Sequence, residues 1–208
     1  MRAMLCGLLL FSIVTSAQPA DWQLYKADDV TTVEYRRSDA QLLQIRAVTE
    51  ADSKISAFLH LLEDTASISN WVANSEKAEL LAKPDGNTHL VHTYFSAPWP
   101  VSKRDMVTQS VWQQDAASGV LTLLISDMGE HFPPVNGYVR MQQVQGQWTL
   151  TPLGNGRIKI AYQGQADPAG KLPRFIADKV ALKATLSTFK QLSQLLAQYQ
   201  KPYSGISE

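Results

Sequence analysis

The chain has 208 residues, 45% of them hydrophobic, with 19 Lys and Arg against 19 Asp and Glu and a single cysteine. A balanced charge with no basic run argues against nucleic acid or an anionic membrane surface as the main partner, and one cysteine excludes a disulfide framework. The length suits one domain resting on its own core.

Met1 to Ala17 stands apart. Arg2 is the only charge before Asp21, Ala3 to Val14 is almost unbroken apolar sequence, and Thr15-Ser16-Ala17 supplies small residues for cleavage. That layout reads as a secretory signal peptide. The apolar run is too short for a bilayer core of about 30 Å, which takes roughly 20 residues; a retained N-terminal anchor is the alternative. Residues 18–208 are then the folded domain, cysteine-free, with 18 basic residues against 19 acidic ones after loss of Arg2. This predicts a soluble, periplasmic or secreted monomer.

Trp22 to Tyr25 enters the domain, and Val30 to Arg36 and Leu42 to Val48 read as strands around a turn at Ser38-Asp39. Asp52-Ser53 offers an N-cap for a helix over Ser53 to Glu63, where Ile55, Phe58, Leu61 and Leu62 recur at helical spacing. Ile68 to Val72 suggests a short helix or turn with Trp71 as a core anchor. The period then changes to two, with strands expected at Lys77–Ala82, Thr88–Ser96, Asp105–Gln114, Val120–Ser126, Tyr138–Gln143, Gln147–Pro152 and Arg157–Gln165. Turn chemistry lies between them at Pro84-Asp85-Gly86-Asn87, Ser118-Gly119, Gln145-Gly146 and Gly154-Asn155-Gly156. Last comes a long amphipathic helix after Pro173. Leu182, Leu186, Phe189, Leu192, Leu196 and Tyr199 form one stripe, and Pro202 stops it.

Four phrases recur in fixed order before that helix. They are Pro98-Trp99-Pro100-Val101-Ser102-Lys103-Arg104-Asp105, Gly137-Tyr138-Val139-Arg140, Gly146-Gln147-Trp148-Thr149-Leu150-Thr151-Pro152, and Ala166-Asp167-Pro168-Ala169-Gly170-Lys171-Leu172-Pro173. With the closing helix, the chain from about Trp22 to Tyr199 resembles the START (steroidogenic acute regulatory protein-related) lipid-transfer domain family, in the form of a bacterial secreted member. The resemblance implies an α+β helix-grip fold, in which a curved antiparallel sheet wraps a long C-terminal helix with a lipid held between them. The ligand it implies is a phospholipid, fatty acid or sterol-like molecule, with transient membrane contact and no cofactor. Burial energetics suit this, since ten methylenes give roughly 8 kcal/mol before binding costs.

Many animal members place an acidic residue and an arginine on neighbouring strands inside the cavity. Counted from Arg104-Asp105, those positions are Val91 and Ser110 here, so both charges are absent together. Strand alternation adds His89, Thr93 and Phe95 on one strand and Met106, Thr108 and Trp112 on the other. The helix contributes Leu182, Leu186 and Phe189 to the expected lining. The matched charges Arg104, Asp105 and Arg140 have two readings: headgroup contact, or an ion pair and backbone tie at a strand end. Asp127 to Asn136 resembles the family's gating loop, with Phe132 and Phe175 as the apolar contacts that would close it.

Catalytic and metal residues are not expected. His60, His89, His92 and His131 do not form a metal site by spacing, and His89 and His92 should face opposite ways on a strand. No nucleophile or phosphate-loop motif is present in the sequence. The alternative in another function class is a helix-grip enzyme of the polyketide aromatase/cyclase type.

Overall fold

The computed structural model describes residues 21–208, so the expected signal segment at 1–17 lies outside the described residues. The described chain builds one sheet: β1 (Gln23–Ala27), β2 (Thr31–Arg37), β3 (Leu43–Ala51), β4 (Ser75–Ala82), β5 (Thr88–Phe95), β6 (Lys103–Gln114), β7 (Leu121–Asp127), β8 (Tyr138–Arg140), β9 (Gln142–Gly154) and β10 (Arg157–Asp167). Its order is β1-β2-β3-β10-β9-β7-β6-β5-β4. All these pairs are antiparallel, and only the short β8 pairs parallel, beside the start of β6. Helix α1 (Ile55–Glu63) and a 3-10 turn (Thr65–Asn70) connect β3 to β4, and the long α2 (Arg174–Leu195) follows β10. This is the helix-grip architecture, a curved sheet closed on a C-terminal helix.

Three local expectations change. The edge strand β1 is paired with β2 along its length, although its outer residues show no buried face. Helix α1 starts at Ile55 without a side-chain cap from Ser53; the Glu208 carboxylate accepts from the Ile55 and Ser56 N–H groups at 2.9 and 3.1 Å. A tail residue distant in sequence thus satisfies the free donors and opposes the positive end of the helix. Gln145-Gly146 is not a turn: β9 runs unbroken through it. The glycine is there for another reason, because a Cβ at Gly146 would stand 3.0 Å from Tyr162 Cε2 and 3.1 Å from its hydroxyl.

The core fills one half of the concave face. Phe58, Leu59 and Leu61 of α1, Leu121, Leu123, Leu150 and Ile160 of the sheet, and Phe189, Leu192 and Leu196 near the end of α2 are all buried. Trp148 is central, 5.1 Å from the Phe58 ring and 5.6 Å from Phe189.

Candidate functional site: the concave face under helix α2

Register sets which side chains look inward. Trp112, Leu123, Trp148, Tyr162, Ala47 and Val33 lie opposite one another across six strands. The Trp148–Phe189 stack puts that row beneath α2. Two residues along lies the parallel row Ser110, Ile125, Gly146, Gly164, Ile45 and Tyr35. On β5, His89 pairs with Ser110, Val91 with Thr108, Thr93 with Met106 and Phe95 with Arg104. Side chains alternate along a strand, so His89, Val91, Thr93, Phe95, Met106, Thr108, Ser110 and Trp112 share the concave face.

Burial divides that face. Around Trp112 and Trp148 it is solid, whereas Val91, Phe95, Met106, Ser110, Ile125 and Tyr162 stay half-buried although they point inward. Above them Leu182 is buried and Leu186 half-buried. The first half of α2 lies over β2 and β3, and the inward side chains of β5, β6 and β7 are left partly buried, an apolar face with a few hydroxyls. The groove of about 540 Å³ is lined by Gln44, Gln145, Gln147, Gln163 and Gln165 of the outer-face alternation together with Ile125, Gly146, Tyr162 and Gly164 of the inner row.

Tyr162 shapes this inner face beside the glycine pair. Its phenol folds over the paired glycines, so that a Cβ at Gly164 would fall 2.1 Å from its oxygen. The hydroxyl has no hydrogen-bond partner among the described residues, and burial pushes its pKa up to about 12.

The charged residues near the β6 start act on the backbone. Asp105 is 0% exposed on the outer face, and its Oδ2 accepts from His92 Nε2 at 2.7 Å and Arg140 Nε at 2.9 Å. Arg140 also donates to the carbonyls of Gly129 (2.7 Å), Phe132 (3.3 Å) and Pro133 (3.1 Å), tying down the 128–137 loop. Arg104 is buried without a carboxylate partner among the described residues and donates to the carbonyls of Ser102, Pro168 and Ala169. Burial lowers its pKa. Both arginines hold loops at the end of the sheet where α2 begins. Phe132 is half-buried in the tied loop, and Phe175 on the first turn of α2 is 73% exposed.

At that same end Trp99 is 93% exposed, so the two most exposed large hydrophobic side chains among the described residues are neighbours of the tied loops. Lys171 and Arg174 precede Phe175 in sequence and are exposed.

The sequence pointed to neither Glu63 nor Tyr203. Glu63 ends α1 and reaches across to β5, where its Oε1 lies 2.8 Å from His89 Nε2 and 2.6 Å from Lys83 Nζ and accepts from the Tyr203 hydroxyl. Such a contact arises from tertiary packing and leaves no spacing signal. His89 and His92 do face opposite ways, one to Glu63 and one to Asp105.

The START domain family matches residues 14–201. A protein of Pseudomonas aeruginosa described as uncharacterized is 27% identical over 194 residues, covering 92% of this chain and 95% of that protein. Among solved structures, a STAR-related lipid transfer protein from Xanthomonas axonopodis superposes with a TM-score of 0.77 at 28% identity, covering 85% of this chain and 99% of the other. Human STARD10 gives 0.73 at 20% identity, a likeness of fold, over 86% of this chain and 74% of its own.

Proposed function

This chain belongs to the START domain family, and from that premise we propose that it binds one lipid between α2 and the concave sheet and carries it without chemical change. The observation that carries this reading is the set of inward-facing side chains Val91, Phe95, Met106, Ser110 and Ile125, which stay half-buried beneath α2 while the neighbouring half of the same face is packed solid. An acyl chain or ring system completing that burial gains about 0.8 kcal/mol per methylene. The aromatase/cyclase alternative shares the architecture but has no residue here in its favour.

The lipid enters and leaves at the α2 start. Trp99 and Phe175 are both exposed at this end and Lys171 and Arg174 precede Phe175, a composition suited to the bilayer interface, where an aromatic ring sits at headgroup depth and a basic side chain meets lipid phosphate. The carrier works as a periplasmic or secreted monomer whose chain starts at Gln18, or less favourably Asp21, after signal cleavage. N-terminal sequencing of the periplasmic fraction checks the cleavage; an intact Met1 in the cytoplasm rejects it.

Transfer of a pyrene-labelled phospholipid between donor and acceptor vesicles tests the function. The protein should accelerate transfer, and Trp99→Ser with Phe175→Ser should slow it at unchanged fold. No acceleration for phospholipid, fatty acid or sterol probes alike would reject the carrier role.

A further inference from the structure

The groove of about 540 Å³ has no part in the carrier reading, although its size falls in the usual range for small-molecule sites, about 300–1,000 Å³. Five glutamines line it, and strand register sets them in two adjacent rows. One row runs Gln145, Gln165, Gln44 and Arg36 across β9, β10, β3 and β2. The next runs Gln147, Gln163, Arg46 and Glu34 across the same strands. These residues alternate with the inward Ile45 and Tyr162, so the amides stand on the outer face. Gly146 and Gly164 are paired and bring only backbone to the groove.

The first row is oriented from one end. The Trp22 ring centroid lies 4.6 Å from the guanidinium carbon of Arg36 and 4.5 Å from that of Arg46. A guanidinium can only donate, so Arg36 Nε donates to Gln44 Oε1 at 2.7 Å, and Gln44 Nε2 then donates to Gln165 Oε1 at 2.9 Å. The relay stops at the Gln165 NH₂, which has no acceptor among the described residues. The side-chain amides of Gln145 and Gln163, both exposed, likewise have no partner among them. Gln147 donates to Thr149 Oγ1 at 3.2 Å, which leaves its carbonyl to accept. Arg46 is the one charged residue in the lining, and Glu34 holds it at 2.5 and 2.9 Å.

Donors and acceptors are thus interleaved along a lining in which the only charge is already paired. An anion finds no unpaired cation in that lining and an ammonium finds no carboxylate. An apolar ligand would strip water from the amides and replace none of their hydrogen bonds. β3, β10, β9 and β7 are each paired on both sides, so no strand edge is open to a peptide. Ring hydroxyls both donate and accept, and Leu124, 51% exposed beside Gln147, offers apolar contact to the C–H face of a sugar ring. We propose that this groove binds a neutral saccharide, whose hydroxyls bond to Gln145, Gln163 and the Gln165 NH₂. Arg36 acts as the positioning residue that fixes the direction of the amide relay.

Titration of isotope-labelled protein with maltose, cellobiose and N,N′-diacetylchitobiose, beside a short uncharged peptide, tests the site by NMR of the glutamine side-chain amides. At least one disaccharide should shift the Gln145, Gln163 and Gln165 signals to saturation, and the peptide should not. Gln145→Ala combined with Gln163→Ala should weaken that binding about tenfold and leave lipid transfer between vesicles unchanged. Arg36→Met should weaken it about threefold, and Arg36→Lys, which still donates, should restore it. If the double variant does not fold, the Arg36 pair decides. The site is overturned if no disaccharide shifts these signals, if the peptide alone does, or if binding is equal in the variants. Lipid transfer is read separately, so failure of the groove leaves the carrier reading standing.

Discussion

Phe189 of α2 lies stacked on Trp148 of β9, with ring centroids 5.6 Å apart and planes 14° from parallel. Both residues are buried. This contact is the fulcrum of the grip: beyond it towards Leu196 the helix is packed into the core, and before it the helix runs over β2 and β3 with Leu182 buried and Leu186 half-buried. Phe189→Ala removes a large buried ring and should cost about 3–5 kcal/mol in stability by denaturant unfolding. A loss under about 1 kcal/mol would show that the helix is held elsewhere.

Tyr162 and Gly164 should show strong coupling. Gly164→Ala places a methyl group against the Tyr162 oxygen and should destabilise by about 1–3 kcal/mol. Tyr162→Phe deletes the nearest of the clashing atoms but leaves the ring Cζ at 2.5 Å and the Gln145 carbonyl at 2.9 Å, so the double variant should recover only part of that loss in a double-mutant cycle.

Alkaline pH tests the same phenol. Its pKa in the folded chain is raised to about 12 by burial, against an ordinary value of 10.0. The folded state holds the proton more tightly, so this contribution is complete below about pH 10 and is lost as pH rises towards 12. It amounts to on the order of 2–3 kcal/mol. Denaturation curves between pH 9 and about 12 should slope downward in the wild type and less so in Tyr162→Phe.

Much of this molecule is legible in its sequence for physical reasons. The α2 stripe from Leu182 to Leu196 is long and periodic, and such a face can only be buried. His89 and His92, three residues apart, fall on opposite faces because a strand repeats every two residues. Gly146 misleads because a glycine between two polar residues reads as a turn, when its missing Cβ serves a tyrosine on the next strand. Glu208 caps α1 from 153 residues away, and Glu63 meets His89 across 26 residues. No local pattern encodes either.

The loop over 128–137 should loosen without its tie. Arg140→Ala frees the carbonyls of Gly129, Phe132 and Pro133 and leaves buried Asp105 with His92 alone. Breaking one partner from a buried pair costs on the order of 3–5 kcal/mol. Amide exchange in this loop should rise, with lipid loading and unloading faster. Unchanged exchange there would show that the loop is fixed by other contacts.

The central claim is a lipid between α2 and the concave sheet, and Ser110 stands on the half-buried inner row of that sheet. Native mass spectrometry of the protein purified from its own host, beside Ser110→Trp checked by circular dichroism, tests it most directly. The account predicts a one-to-one adduct in the wild type that extracts as lipid and is missing from the folded variant. An adduct-free wild type that takes up no lipid on incubation, or a folded variant with the same adduct, would contradict it.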